Sequence, residues 1–539
     1  MTEPTRRFNV RVPLRDGITL SADISFPPTL PAPAVVMRTP YGKSGDMQSK
    51  RANTFVGGGY VAVLVDVRGR GDSEGAFSPY RNDGPDGADV IDWVAAQEWC
   101  TGAVGTHGGS YGGVIQWLTA LEKPAALRAM VPIVSPSDPF VESPTGAPWP
   151  MYINWFRLVD GRMPQHLNDV DWMAVYRHRP LLTMDEAAGF QSPNWREELQ
   201  HTTLDEFWEP KRYQHRMTEI DVPALNISGW YDDEQIGTPL NFATMHRAGK
   251  AAQRLLMGPW GHAVNTTRKL GEVDFGPDAL IDLDKVILAF FDEHLKGIAP
   301  DPAPPPVRIF VMGVNEWRDA NEWPPADAAS YEFHLSSGGR ANSRYGDGRL
   351  LTSPVDTDDA PDEWTHDPDR PVPFITDESS AQVGGPDDYA GVETRGDVLV
   401  YTSDELSEPL ELIGPVRLIA HVETSARDAD VMAKLLDVHP NGFAQRLCDG
   451  IVRLRYREGM SKTLPVTPGE VYEVEVVMWD TCIRVPAGHR LRVEVASSAF
   501  PKYDVNLGTG GDMVTETEGV LATNKLWHTP ARPTRLLIN

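Results

Sequence analysis

The sequence predicts an α/β protein that carries a helical insertion and ends in an all-β region. Short, dense apolar runs alternate with helical segments early in the chain, residues 138–215 are rich in Trp, Tyr, Met and His, and alternating strand patterns dominate beyond residue 306. Alternation of fully buried strands with helices is typical of a parallel sheet covered on both faces. Because 539 residues exceed the usual size of one hydrophobic core, we expect several domains.

The first element is predicted to be a β-hairpin. Residues 8–26 alternate apolar and polar side chains on both sides of Asp16 and Gly17, which favours a tight turn between antiparallel strands. The segment 88–99 has the pattern of a helix. Strands buried on both faces are predicted from dense apolar runs at 34–38, 60–67, 129–134 and 224–229.

Beyond residue 280 the sequence pattern predicts one more helix, a connection and then only strands. An amphipathic helix over 280–297 is expected to end at Gly297, and a stiff proline-rich connection occupies 300–306. Beyond it, strand patterns from RIFVMG (307–312) through IVRLRYR (451–457) to HRLRVEVASSAF (489–500) predict a β-sandwich. We therefore predict four segments, namely a first α/β part (1–137), a mostly helical insertion (138–215), a second α/β part (216–325) and a β domain (326–539).

Composition excludes several classes of function. A formal net charge of −26 would repel phosphate backbones and anionic lipid surfaces, so nucleic-acid and membrane-surface roles are disfavoured. Cys100, Cys448 and Cys482 lie far apart without CxxC spacing, and we expect buried free thiols. The N-terminus has no apolar signal-peptide core and no run approaches 18 apolar residues, so a cytoplasmic location is the default expectation.

A serine flanked by glycines is the first candidate for a catalytic residue. In GTHGGSYGG (105–113), Gly108, Ser110 and Gly112 satisfy G-x-S-x-G between a strand-like segment and a helical one. In a nucleophile elbow the serine occupies a strained strand-to-helix turn, and the flanking glycines avoid collisions with neighbouring backbone. A glycine-rich turn need not be catalytic, so the decision depends on other residues.

A base and an acid occur in the order that this arrangement requires. A serine hydroxyl needs a histidine to accept its proton and a carboxylate to orient that histidine. His262 follows the apolar run and turn RLLMGPWGH, and Asp232 and Asp233 follow the preceding predicted strand in ALNISGWYDDEQ. The order Ser, acid, His favours a catalytic interpretation, although each carboxylate alone would be an ordinary loop residue.

Six motifs occur in order along the chain, namely TPYGK (39–43), DVRGRGDSEG (66–75), GGSYGG (108–113), GWYD (229–232), GPWGH (258–262) and FPKYD (500–504). Together they make the chain resemble the family of cocaine esterase and X-Pro dipeptidyl-peptidase-type hydrolases, with α-amino acid ester hydrolases as siblings. The resemblance implies an α/β-hydrolase core with an inserted helical cap and a C-terminal jelly roll. It also implies Ser110 as nucleophile, His262 as general base and Asp232 as orienting acid, with Asp233 as the alternative.

The resemblance also implies an oxyanion hole built from the Tyr41 hydroxyl and the Tyr111 backbone N–H. A phenol is a neutral donor that can point at developing negative charge; without the resemblance, Tyr41 would be interpreted as a core residue. We expect the charged residues of 66–75 to form ion pairs that brace a loop near the site, and His107 to be structural. The chemistry implies no cofactor and no metal.

The substrate is predicted from the residues around these groups. By resemblance, Trp149 and Trp155 fall in the acyl pocket and Trp230 flanks the acid, which favours an apolar or aryl acyl group. The alternative is that these tryptophans form the core of the cap. Glu234 matches one acidic position of the amino-ester group, but Gln235 follows it, which argues against a strong amine pocket.

We therefore predict a serine hydrolase, a carboxylesterase or amidase that acts on small-molecule substrates with small or aryl acyl groups. The alternative is an X-Pro dipeptidyl-peptidase or α-amino acid ester hydrolase, to whose amine site Glu142 or Asp138 could contribute. A binding module with an inactive hydrolase core is disfavoured, because it has no chemical reason to keep Ser110, Asp232, His262 and Tyr41 together. A homo-oligomer such as a dimer is a further expectation from the resemblance.

Overall fold

The computed structural model describes residues 5–376 and 384–539. A ten-stranded sheet organises the first part of the chain, in the order β1-β2-β4-β3-β5-β6-β7-β8-β11-β12. The seven strands from β4 to β11 in this order pair with one another in parallel. At one edge of the sheet β2 pairs antiparallel with β4, and β1 with β2; at the other edge β12 pairs antiparallel with β11. In chain order the first twelve strands are β1 (Thr5–Pro13), β2 (Thr19–Phe26), β3 (Ala32–Thr39), β4 (Val61–Asp66), β5 (Cys100–Gly109), β6 (Leu127–Ile133), β7 (Ala224–Gly229), β8 (Gln253–Gly258), the separate small pair β9 (Lys269–Leu270) and β10 (Val273–Asp274), β11 (Val307–Val311) and β12 (Glu316–Ala320).

The predicted hairpin and buried strands are confirmed in this sheet. The hairpin spans β1 and β2 with Gly17 at a positive φ of 87° in its turn. All six residues of β4 are buried, as expected for a strand covered by helices on both faces. The helices are α1 (Asp46–Gly57), α2 (Asp83–Ala95), α3 (Tyr111–Leu121), α4 (Pro139–Glu142), α5 (Tyr152–Val159), α6 (Trp172–Tyr176), α7 (Met184–Ala187), α8 (Pro193–Leu199), α9 (Gly237–Arg247) and α10 (Leu283–Lys296).

Helix α10 confirms the predicted amphipathic helix and its C-terminal glycine. Asp282 caps the first turn by accepting a hydrogen bond from Lys285 N at 3.0 Å, and Gly297 ends the helix in the left-handed region at φ 71°. The buried side chains of the helix, among them Ile287 and Phe291, pack against the parallel sheet.

The segment 138–215, called the insertion below, is less helical than the sequence suggests. Its longest helix, α5, has only eight residues, and α4 and α7 have four each. Proline removes a backbone donor and cannot continue a helix beyond its first turn, and prolines recur through this segment from Pro139 to Pro193. The aromatic side chains of the insertion instead form a packed cluster. In this cluster Trp149 and Trp195 of the insertion pack with Tyr503 of the C-terminal region.

The C-terminal region consists of eleven strands whose hydrogen bonds join them into one set. They are β13 (Tyr331–Ser336), β14 (Arg349–Leu351), β15 (Asp362–His366), β16 (Leu399–Thr402), β17 (Leu410–Thr424), β18 (Asp430–Val438), β19 (Ala444–Arg453), β20 (Val471–Val485), β21 (Arg490–Ala496), β22 (Ala522–Trp527) and β23 (Arg535–Ile538). An all-β C-terminal region is therefore confirmed, whereas the two-layer jelly roll and the four domain limits remain predictions.

Two strand assignments need correction. The RIFVMG segment, grouped by its pattern with the sandwich strands although it lies in the predicted second α/β part (216–325), forms β11, which pairs in parallel with β8 and extends the first sheet. The segment 451–457 is not one strand, since β19 ends at Arg453 and residues Leu454–Tyr456 form a 3₁₀ turn. The predicted thiols of Cys100, Cys448 and Cys482 are free and buried. Within residues 5–376 and 384–539, no helix has both the length and the apolar character needed to cross a membrane.

Candidate active site

Ser110 lies on the sharp turn between strand β5 and helix α3. Its backbone has φ 56° and ψ −123°, a conformation that L-residues rarely adopt and that is held here by a hydrogen bond from Ser110 N to Ile133 O at 2.9 Å. A Cβ on Gly108 would meet the backbone oxygen of Gly112 at 2.8 Å, and one on Gly113 would meet Ser135 Cβ at 2.8 Å. The expectation that all flanking glycines avoid collisions is wrong for Gly109 and Gly112, at which an added Cβ would find its nearest neighbour at 3.6 and 3.5 Å.

His262 faces two adjacent aspartates at the ends of strands β7 and β8. Its Nδ1 lies 2.8 Å from Asp232 Oδ1 and 3.1 Å from Asp233 Oδ1. Only the first contact has hydrogen-bond geometry, since Asp233 Oδ1 has no hydrogen-bond partner. Asp232 Oδ2 in turn accepts from Ser228 Oγ at 2.5 Å, so its carboxylate is fixed on both oxygens. Asp232 is therefore the better orienting acid, and Nε2 is left as the proton acceptor.

The electrostatics separate the two aspartates further. Burial alone would raise the pKa of Asp232, but the His262 ring and the Ser228 hydroxyl outweigh burial and hold that pKa below its ordinary value. Burial raises the pKa of Asp233, against the opposing effect of His262. Burial would lower the pKa of His262, yet the charges of Asp233 and Asp232 hold it well above its ordinary value. The three groups thus form an acid–imidazole cluster in which Asp232 is the more acidic of the two carboxyl groups.

The Ser110 hydroxyl is engaged by a third carboxyl group. Ser110 Oγ donates to Glu234 Oε2 at 3.3 Å, and among the described residues no hydrogen bond joins that hydroxyl to His262. Glu234 Oε2 is also 3.9 Å from His262 Nδ1. Burial raises the pKa of Glu234 well above its ordinary value, and the charges of Asp233 and Asp232 add to this effect against His262. Glu234 thus contacts both Ser110 and His262.

Tyr41 and Tyr111 lie next to the serine. The Tyr41 hydroxyl accepts a hydrogen bond from Trp155 Nε1 at 3.0 Å, which leaves its own proton free to donate. Burial raises the pKa of Tyr41, so the phenol stays neutral. The Tyr111 N–H is the first amide of α3, a position that has no acceptor within the helix. The Tyr111 ring stacks on Tyr80 at 4.4 Å and is buried, so its backbone is firmly placed.

The charged loop 66–75 supports the site from behind, as a structural role predicts. Arg68 pairs with Asp86 at 2.6 Å and with Asp16 at 2.8 Å, which agrees with the expected ion pairs. Arg70 behaves differently, because its buried guanidinium donates to backbone carbonyls, to Pro40 O at 2.8 Å and to Val159 O in the insertion. Arg70 therefore fixes the backbone beside Tyr41 against helix α5.

His107 lies on β5 behind the serine turn and is buried. Its ring packs edge-on against Phe55 with centroids 5.2 Å apart. Burial lowers the pKa of His107 well below its ordinary value, so the ring stays neutral. This placement agrees with the expected structural role.

A pocket opens beside Ser110 between the sheet and the insertion. Its volume is about 940 Å³, counting the space at its open mouth. Of the predicted substrate-contacting residues, Trp149, Trp155 and Glu234 line it. The sequence missed further lining residues. Phe140, Tyr152 and Trp208 were missed because no periodic pattern in the insertion shows which aromatic side chains face a cavity, and Tyr80 joins them from the first part of the chain.

The expectation that Trp230 contacts the substrate is not supported by its placement. Its indole N–H donates to Phe310 O in strand β11 at 2.8 Å, and its ring packs on Trp323 with centroids 5.3 Å apart. Successive side chains along an extended segment face opposite sides of the sheet. The Trp230 side chain faces the side on which the α/β sheet packs against the β region. Trp230 is therefore a core residue beneath the acid loop.

The two further acids that the sequence named have different surroundings. Asp138 does not line the pocket, because it pairs with Arg212 at 2.9 Å and accepts backbone N–H groups from Tyr213 and Gln214. Glu142 does line the pocket and is 4% exposed. Burial and the nearby Glu234 charge raise the pKa of Glu142 well above its ordinary value. No Lys or Arg pairs with Glu142 or Glu234 among the described residues.

Two family models cover most of the chain. Residues 16–264 match the X-Pro dipeptidyl-peptidase (S15 family) model, and residues 302–537 match the X-Pro dipeptidyl-peptidase C-terminal non-catalytic domain. The chain is also 35% identical to cocaine esterase from Rhodococcus sp. (strain MB1 Bresler), across 98% of this chain and 97% of that protein. The chain belongs to the S15 family. This membership confirms the predicted resemblance, the α/β-hydrolase fold class and a serine hydrolase that cleaves carboxylic esters.

Two solved structures superpose on nearly the whole chain. An aminopeptidase from the marine sediment archaeon Thaumarchaeota archaeon has a TM-score of 0.89 at 26% identity, covering 100% of this chain and 96% of that one. An α-amino acid ester hydrolase has a TM-score of 0.87 at 27% identity, covering 99% of this chain and 96% of that one. Both similarities extend through the insertion and the β region.

Proposed function

We propose that this S15-family enzyme cleaves esters by acyl transfer to Ser110, with His262 as general base and Asp232 as orienting acid. The observation that carries the proposal is the strained serine turn at the mouth of the pocket, close to an imidazole that is hydrogen-bonded to Asp232. In the first step the Ser110 hydroxyl attacks the ester carbonyl and His262 Nε2 accepts its proton. In the second step His262 activates the water that releases the acid.

Reaction requires the serine hydroxyl to turn from Glu234 to His262. The hydroxyl donates to Glu234 at 3.3 Å in the resting arrangement, and rotation about one side-chain bond redirects it. Catalytic hydrogen bonds are often long or misaligned before substrate binds, so the resting geometry is compatible with this role. The raised pKa of Glu234 favours the neutral acid there, which holds the hydroxyl less tightly than a carboxylate would.

The oxyanion is proposed to lie between the Tyr41 hydroxyl and the Tyr111 N–H. Both donors flank Ser110, and the Trp155 indole orients the phenol by donating to its oxygen. The acyl group is proposed to occupy the pocket, in contact with Trp149, Trp155 and Phe140. Aromatic walls favour small apolar or aryl acyl groups.

The proposal is tested by a hydrolysis panel on the purified enzyme and on Ser110→Ala. We expect hydrolysis of 4-nitrophenyl acetate, 4-nitrophenyl butyrate and an aryl benzoate that Ser110→Ala abolishes. Ser137 lines the same pocket and donates to Gln214, so Ser137→Ala is the matched control and should keep activity. Ester hydrolysis that survives Ser110→Ala would refute the assignment of the nucleophile.

A second candidate function is hydrolysis of substrates that carry an amine. Glu142 and Glu234 place two buried carboxyl groups in one pocket, and among the described residues neither pairs with a Lys or Arg, whereas Glu198 in the same pocket pairs with Lys211 at 2.9 Å. Glu234 lies 3.9 Å from His262 Nδ1. A substrate ammonium would give Glu142 a positively charged partner. This favours amine recognition more than the sequence suggested, and the structural relatives include an aminopeptidase and an α-amino acid ester hydrolase.

The two candidates are separated by a matched pair of substrates. Phenylglycine methyl ester and methyl phenylacetate differ only in the amine, so their kcat/KM ratio reports the amine site. If Glu142 binds the ammonium, Glu142→Gln should lower kcat/KM for the amine-bearing ester by about 10- to 100-fold and leave the neutral ester nearly unchanged. An equal effect on both esters would leave the neutral-ester function as the better account.

A cytoplasmic location, a jelly-roll arrangement of the β region and a homodimer are further proposals that rest on the sequence and the family. None of them enters the chemistry above. The jelly roll is supported by the continuous set of strands that packs on the insertion, in which the named pairs are antiparallel except β14–β16. Size-exclusion chromatography with light scattering would test the dimer.

A further inference from the structure

Two histidines and an aspartate converge in the β region, at the ends of its strands. Asp437 lies near the end of β18, His439 begins the turn to β19, and His489 lies in the turn between β20 and β21. One ring nitrogen of each histidine and one Asp437 oxygen lie within 4.8 Å of one another. His489 Nδ1 is 2.8 Å from Asp437 Oδ1, and His439 Nε2 is 3.6 Å from Asp437 Oδ2.

We propose that Asp437, His439 and His489 bind one divalent transition-metal ion of the zinc type. Two imidazoles and one carboxylate suit zinc rather than magnesium or calcium, which prefer oxygen ligands. Ligand atoms bound to zinc at about 2.0–2.2 Å in tetrahedral geometry are about 3.3–3.5 Å apart. The two contacts involve different oxygens of Asp437, Oδ1 at 2.8 Å from His489 Nδ1 and Oδ2 at 3.6 Å from His439 Nε2, so side-chain rotation is needed to bring one atom of each residue to this spacing.

Tight turns hold both histidines in place. His439 N donates to Phe443 O at 2.9 Å across the β18–β19 hairpin, where Gly442 adopts φ 91°. His489 O accepts from Leu406 N at 2.9 Å. Asp437 itself lies in a strand that pairs on both sides, opposite Gln445 and Leu491. The ligands are therefore preorganised by backbone hydrogen bonds, which lowers the cost of binding an ion.

Burial and charge around the cluster favour a cation. The Asp437 side chain is 3% exposed and has no Lys or Arg partner in the part of the chain that the structure describes. A buried carboxylate requires compensating positive charge, and a bound cation supplies it. The His439 ring is 29% exposed, so an ion can enter from its side. On binding, the ion would replace the proton that His489 Nδ1 shares with Asp437.

A fourth ligand is available, and through it the ion would be linked to the active-site loop. Gln445 Oε1 lies 3.1 Å from His439 Nε2, close enough to share the coordination sphere with water. The Gln445 amide donates to the Tyr231 hydroxyl at 3.1 Å, and Tyr231 precedes Asp232. The proposed ion would thus fasten two turns of the β region behind the acid loop, as a structural ion rather than a reactant.

The test must separate this cluster from the active site, because Asp232, Asp233 and His262 also bring ligand atoms within 4.8 Å of one another. Zinc bound there would block the base and inhibit ester hydrolysis. Full-length enzyme is therefore stripped with a chelator and titrated with Zn²⁺, while calorimetry, thermal unfolding and ester hydrolysis are followed in parallel. The variants are His489→Asn, Asp437→Asn and the more exposed His439→Asn. The matched control is His421→Asn, a β-region histidine that pairs with Glu473 at 3.1 Å.

We expect wild-type enzyme and the control to bind one Zn²⁺ that raises the melting temperature without inhibiting hydrolysis. Changes in groups that only support metal ligands lower affinity about 10- to 100-fold, so loss of a direct ligand should lower it by at least about 100-fold. Each cluster variant should also lose the thermal shift while its circular dichroism in chelator stays native. Unchanged Zn²⁺ affinity and thermal shift in His439→Asn and His489→Asn would overturn the proposal, as would the absence of non-inhibitory binding by wild-type enzyme.

Discussion

Replacement of Tyr41 by phenylalanine tests the proposed oxyanion hole at a single atom. The Tyr41 hydroxyl accepts from Trp155 Nε1 at 3.0 Å, so its own proton is available to the oxyanion. Loss of one such donor lowers kcat by about 10²–10³, or about 2.7–4 kcal/mol of transition-state stabilisation. KM for 4-nitrophenyl butyrate should change little, because the interaction forms only as charge develops.

The same substitution has a separate, smaller effect on stability. Tyr41→Phe leaves the partly buried Trp155 indole N–H without its acceptor, which costs about 1 kcal/mol of unfolding free energy. Thermal unfolding followed by circular dichroism measures this cost independently of rate. Trp155→Phe is the comparison variant, since it removes the same hydrogen bond but keeps the Tyr41 hydroxyl; because Trp155 also orients that hydroxyl and lines the pocket, kcat should fall, but less than in Tyr41→Phe. A kcat for Tyr41→Phe within about threefold of wild type would refute the assignment of Tyr41.

Three further substitutions test the charges, the turn and the corrected tryptophan. Because the Asp233 charge helps to raise the pKa of His262, and catalysis needs the neutral ring, Asp233→Asn should shift the acidic limb of the kcat/KM profile to lower pH; no shift, or a shift to higher pH, would contradict this coupling. Gly108→Ala should abolish hydrolysis because its Cβ meets backbone at 2.8 Å, whereas Gly112→Ala, with its nearest contact at 3.5 Å, should keep activity; equal rates in the two variants would count against the proposed crowding. Trp230→Phe should lower the melting temperature and leave KM unchanged, and a raised KM would return Trp230 to the substrate site.

The parts of the fold that were predictable have local causes. The serine turn follows from glycine spacing between a strand and a helix, and helix α10 follows from its apolar face and Gly297. The pattern of strand β11 was grouped with the sandwich strands because its sequence suits any strand, whereas its pairing with β8 depends on a contact across about fifty residues of chain. Local pattern does not specify such nonlocal partners.

In the candidate site, too, some residues could be predicted from the sequence and others could not. Ser110, Asp232 and His262 were identified because each follows a buried strand, and the ends of parallel strands meet at one edge of the sheet. The pocket wall was not fully predictable, since the insertion has short helices interrupted by prolines and no periodicity that assigns side chains to a face. Glu142 shows this, because only the three-dimensional arrangement brings it into the pocket with Glu234.

The central claim, that Ser110 is the nucleophile, is tested most directly by a fluorophosphonate probe with the adduct mapped by mass spectrometry. Wild-type enzyme and the Ser137→Ala control should each carry one probe per chain on Ser110, with ester hydrolysis lost in proportion to labelling. Ser110→Ala should remain unlabelled and inactive. A probe found on another residue, or full hydrolysis by enzyme labelled at Ser110, would contradict the claim.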